Sequence, residues 1–108
     1  MARVQLDGSR IKDWASFHQQ SRLAFGFPDT YGDNLNAWVD CLSYLRDEDG
    51  MSKFRLGPDE MLHIELLHAD DLRTRQPEIV EELAFCIAEL NERYADYGEK
   101  PALELKPA

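Results

Sequence analysis

Basic residues are scarce in this chain: 12 lysines and arginines stand against 21 aspartates and glutamates, a formal net charge of −9. A nucleic-acid binder needs cationic side chains to neutralise phosphates, so the balance argues against that class and suits a basic protein partner instead. Cysteine is nearly absent. Cys41 and Cys86 lie far apart, in no metal-binding or redox spacing and inside two expected helices. They read as reduced core residues, in keeping with a cytoplasmic location. Long apolar runs are missing, so no membrane span is expected, and the opening Met1-Ala2-Arg3-Val4 lacks the apolar region of a secretory signal. Repeats, low-complexity stretches, glycine-rich phosphate loops, nucleophile elbows and triad spacings are absent as well. A single domain over residues 1–108 is expected, of a size to bury a core without disulfides or metals.

The periodicities that are present alternate between two kinds. Val4-Gln5-Leu6 reads as a short strand ending in an Asp7-Gly8 turn. Trp14, Phe17, His18, Leu23 and Phe25 populate a first helix, capped by Asp13 and ended near Gly26-Phe27-Pro28. A second helix opens at Asp33 or Asn34, either of which can cap, and places Leu35, Trp38, Cys41, Leu42 and Leu45 on one apolar stripe. Arg46-Asp47-Glu48-Asp49-Gly50 breaks it and begins a loop to Gly57-Pro58-Asp59-Glu60, long enough for a short extra element. Met61 to Leu67 alternates as a half-buried strand with Leu62, Ile64 and Leu66 on one face. Ala69-Asp70-Asp71 reads as the cap of a short helical turn. Pro77 opens the longest helix, with Ile79, Val80, Leu83, Ala84, Ile87 and Leu90 inward, and it ends at Tyr97-Gly98. Pro101 to Leu105 is a final strand. This order predicts an α/β fold, a small three-stranded parallel sheet packed with three to four helices.

The second helix and the loop before it are the most informative segment. Opposite the apolar stripe stand Asn36, Val39, Asp40 and Ser43, with Asp29, Thr30 and Asp33 in the loop. That face is acidic, with one apolar residue expected to be exposed. Pro28, Tyr31, Gly32, Asn34, Leu35, Ala37, Asp40, Cys41 and Leu42 form a gap-free run that closely resembles the barstar family of intracellular ribonuclease inhibitors. The similarity is clear over roughly the first 45 residues; downstream it lies in the order of elements and the terminal strand.

The resemblance implies a non-enzymatic immunity protein that plugs a nuclease cleft with residues 28–47. In that pattern Asp40 enters the active site in place of a substrate phosphate, because a carboxylate accepts charge-assisted bonds from arginine, lysine or histidine. The implied contact set is Asp40, Asn36, Val39, Asn34, Thr30, Tyr31, Asp33 and Ser43, with Asp29, Asp47 and Glu48 adding to a field that steers a basic enzyme inward. Several positions depart from the pattern. Asn36 stands where the family has a second acid, Val39 where it has a tryptophan, and Thr30 where it has the first of two tyrosines. The acid that the family's later helix contributes has no clear counterpart, with Glu89 and Glu92 as candidates. For some residues an architectural role competes with contact: Tyr31 as cover for the core edge, Gly32 for a special backbone angle, Asn34 as a cap. Trp38 reads as core.

The implied partner is a basic bacterial ribonuclease or nuclease toxin; no cofactor, metal, nucleic acid or membrane is expected, and the free protein is expected to be a monomer. A DNase, a non-nuclease toxin effector or a regulatory partner on the same fold is the alternative. A small metal-dependent enzyme is the remote one, prompted by His63-Ile64-Glu65-Leu66-Leu67-His68. On a strand His63 and Glu65 share a face while His68 points away, which is not the helical zinc arrangement.

Overall fold

The computed structural model describes residues 2–108. Alternation of Val4 and Leu6 with Arg3 and Gln5 produces β1 (Ala2–Asp7). Asp7 then turns the chain, its carboxylate accepting from the Ser9 amide at 3.0 Å ahead of one 3-10 turn, Gly8–Arg10. Glycine is required at position 8, where a Cβ would stand 2.5 Å from the Leu67 carbonyl oxygen. Asp13 and Ser16 form a reciprocal capping box that starts α1 (Trp14–Phe25). Gly26 ends it: a φ of 69° returns its amide and that of Phe27 to the Arg22 carbonyl. There follow α2 (Leu35–Leu42), β2 (Leu62–Leu67), α3 (Ala69–Arg75), α4 (Pro77–Asp96) and β3 (Leu103–Pro107).

The fold is α/β, as the alternation predicts. Its sheet has the order β1-β2-β3 with both pairs parallel, Leu6 beside Leu66 and Leu62 beside Leu103. Val4, Leu6, Leu62, Ile64, Leu66 and Leu103 form the buried face. The other face sets Arg3, His63 and Glu104 in one row and Gln5, Glu65 and Lys106 in the next. Arg3 pairs with Glu65 at 3.4 Å, and Lys106 with Glu104 at 3.7 Å. This polar second face explains why the strands alternate, where parallel strands covered on both sides read as continuous apolar runs. The helical part of the core centres on Trp38, fully buried, with Phe25 edge-on at 5.8 Å and Phe17 at 6.2 Å.

Four expectations need correction. α2 stops at Leu42 because the Tyr94 phenol donates to the Leu42 carbonyl at 2.7 Å and accepts from the Leu45 amide at 3.1 Å, capping the helix from α4. Leu45 is nonetheless fully buried, carried inward by turns. The 46–60 loop forms no helix or strand. It is closed by Arg46, whose nearly buried guanidinium donates to the carbonyls of Gly57, Glu60, Lys100 and Pro101. α3 has no aspartate cap: His68, at φ 54°, stands before it, and Asp70 and Asp71 instead pair with Arg73 and Arg75. Ala84, expected inward, lies on the outer face of its helix.

Candidate functional site

The loop before α2 is pinned from below. Tyr31 is 6% exposed, its ring 4.7 Å from Phe27 and its hydroxyl 2.6 Å from His18 Nδ1. Burial raises the Tyr31 hydroxyl pKa above its ordinary range. Burial also lowers that of His18, opposed by the nearby Asp33 carboxylate. Tyr31 therefore supports the loop from inside. Asp33 takes the left-handed backbone, at φ 52°, that was expected of Gly32; a short polar side chain tolerates it. Gly32 stays outside that region, and a Cβ on it would meet the Asn34 amide nitrogen at 3.0 Å.

Asn34 is the N-cap: its oxygen accepts from the Ala37 amide at 2.8 Å and its nitrogen donates to the Gly32 carbonyl at 3.1 Å. From that start α2 turns Trp38, Cys41 and Leu42 inward, and the Trp38 indole donates to Ser21 Oγ at 3.2 Å. Val39, expected on the exposed face, is 3% exposed. Residues 38 and 39 differ by about 100° around a helix. α2 packs against α4 as well as against the α1 aromatics, so it buries a sector wider than one stripe.

The outer surface keeps Thr30, Asp33, Asn34, Asn36 and Asp40 exposed, with Asp29 beside them and Ser43 at the edge. The Asp40 side chain is 65% exposed, its Oδ1 3.6 Å from Arg93 Nη1 on α4. Ser43 donates to the Val39 carbonyl at 2.7 Å and lies 3.5 Å from the same guanidinium nitrogen. Asp33 pairs with Arg22 at 3.0 Å and Glu48 with Arg55 at 3.7 Å, so several acids of the expected field have internal counter-ions. Asp29 and Asp47 have none among the described residues. Glu89 and Glu92 are exposed on α4. Between the ends of α2 and α4 opens a cleft of about 320 Å³ lined by Ser43, Tyr44, Arg46, Asp47, Arg93 and Tyr97, among others.

Sequence reasoning overlooked Arg93, Tyr44 and Tyr97. The available signal was on α4, where Arg93 lies one turn beyond Glu89, already a candidate for the later helix's contact. Chemically, the surface offers a solvated carboxylate on a rigid helix, suited to accepting bonds from a guanidinium, ammonium or imidazolium. Among the described residues, no group of three or more His, Cys, Asp or Glu side chains is placed to hold a metal ion, and no helix is long and apolar enough to cross a membrane. His63 approaches Glu104 at 3.9 Å, whereas His68 has left the strand to begin α3.

No curated protein matches the chain. A family model described as Barstar (barnase inhibitor) matches residues 1–106, nearly the whole length. That family consists of non-catalytic inhibitors that bind ribonuclease toxins. With the parallel sheet, the capped α2 and the family match in agreement, the chain belongs to the barstar family.

Proposed function

We propose that this protein is an immunity protein that inhibits a basic bacterial ribonuclease by lodging α2 and its preceding loop in the enzyme's cleft, with Asp40 as the anchor. One observation carries the reading: Asp40 projects into solvent from a helix that Asn34 caps and whose Trp38, Val39, Cys41 and Leu42 are buried against α1 and α4. A carboxylate held on a rigid element can meet the cations that bind a substrate phosphate, with little ordering left to lose on association. Asp29 and Asp47, free of internal counter-ions among the described residues, supply the remaining negative field, and the net charge of −9 extends it. Asn36, in place of a second acid, and the Arg93 guanidinium both lower the charge around the anchor. They favour a nuclease different from barnase, and within the alternatives a different toxin effector.

The test is inhibition of barnase and of a panel of other basic bacterial ribonucleases at low salt. Stoichiometric inhibition of at least one member is expected. Asp40→Ala should weaken it by about tenfold or more while leaving thermal unfolding unchanged, since truncating one member of a desolvated charge pair strands the other. Inhibition that survives the substitution would move the anchor elsewhere. A panel without any inhibited member would sink the ribonuclease reading.

A further inference from the structure

We infer that Arg93 governs partner choice: it sets a cation of this chain's own beside the anchor, so the partner that fits brings a cation to Asp40 and a carboxylate to Arg93. The inference rests on the cleft-plugging reading above and narrows it to one class, a basic nuclease with an acidic side chain at the rim of its cleft.

Arg93 reaches from the last turns of α4 to the exposed edge of α2. Its distances to Asp40, 3.6 Å, and Ser43, 3.5 Å, are both longer than the about 2.7–2.9 Å of a close charge-assisted bond. The Arg93 side chain is 46% exposed, and its guanidinium, with five N–H donors, retains donors for a further acceptor. It faces the cleft shared with Tyr44 and Tyr97, both exposed, whose hydroxyls have no hydrogen bond among the described residues. The other arginine there is already occupied: Arg46 donates to four carbonyls and lies 3.4 Å from Glu99. Among the described residues lining the cleft the acids are Asp47 and Glu99; Glu99 is paired with Arg46, and Asp47 is exposed, where solvent and salt screen it.

A partner cation docked on Asp40 would come close to the Arg93 guanidinium. Like charges at such separations repel, and the single Asp40 carboxylate between them offsets only one of the two positive charges. A uniformly basic rim is therefore rejected, while a rim that alternates cation and carboxylate satisfies both residues. Discrimination between related partners commonly depends on such a repulsive element.

The experiment is calorimetric titration of wild type, R93K, R93Q, R93E and D40N against barnase and the same ribonuclease panel, with thermal unfolding confirming that each variant folds. Against the nuclease that wild type binds best, R93Q should weaken binding by about tenfold, R93E by more and R93K by least. R93E should gain affinity for members that wild type binds poorly. Such a gain supports the inference even where wild type binds no member. Affinities for R93Q and R93E within about twofold of wild type, on every nuclease that D40N weakens, would overturn it and leave the cleft-plugging reading standing. Sensitivity to Arg93 substitutions without sensitivity to D40N would overturn the anchor assignment and leave Arg93 standing. No binding by wild type or any Arg93 variant would overturn both.

Discussion

The two sides of α2 are held by different physics. Inside, the contacts are neutral and dry: Tyr31 on His18, the Trp38 indole on Ser21, and aromatic rings packed around them. Outside, the contacts are ionic and wet, with Asp40 on Arg93 and Asp33 on Arg22, all four side chains roughly half exposed. Exposed ion pairs contribute about 0–1 kcal/mol each, whereas fully burying one large apolar side chain is worth about 1.5–3 kcal/mol. Stability therefore comes from the inner side. The outer side is nearly free to change without unfolding the protein.

That contrast can be broken most severely at Val39. Asp at this position puts an unpaired carboxylate among buried apolar groups and should cost about 3 kcal/mol or more, whereas Asn36→Ala on the wet side should stay within about 0.5 kcal/mol. Urea unfolding of the two variants measures the difference, and equal midpoints would refute the division. Tyr31→Phe comes next. It leaves His18 Nδ1 buried without its partner, so a loss of about 1–3 kcal/mol is expected with nuclease affinity preserved. An affinity loss at unchanged stability would return Tyr31 to the contact surface. Asn34→Ala removes the α2 cap and should cost about 1 kcal/mol, read from the same unfolding curves.

The smallest effect is that of acid on His18. Desolvation holds its pKa below the ordinary 6.5, so the unfolded chain takes up this proton before the folded one does. The contribution is complete above about pH 6.5 and shrinks as the pH falls toward the folded-state value. The test compares urea midpoints between about pH 7.5 and about pH 5.5 for wild type and His18→Gln, and a smaller drop in the variant is expected. An equal drop would assign the acid sensitivity to other groups.

Much of the fold was legible because its signals are local. Asp13 and Gly26 mark the ends of α1, Pro77 opens α4, and the alternation around Ile64 marks a strand with one buried face. The Asn34 cap and the outward placement of Asp40 were legible for the same reason, both residues standing within one uninterrupted motif. What escaped depends on neighbours far along the chain. The end of α2 is set by Tyr94, 52 residues beyond the carbonyl it caps. Arg93 meets Ser43 across 50 residues, and no spacing rule names the residue of α4 that lies beside α2. Val39 lies inside because α2 packs on two sides, of which a single apolar stripe describes only one.

The 46–60 loop lacks helix and strand, yet the Arg46 guanidinium joins its beginning to its end and both to the segment leading into β3. Lysine, with three donors on a single nitrogen, could not reproduce that fork. One side chain thus does for this loop what a covalent cross-link does in secreted proteins, making a chemically open segment behave as a ring, with no oxidised cysteine involved.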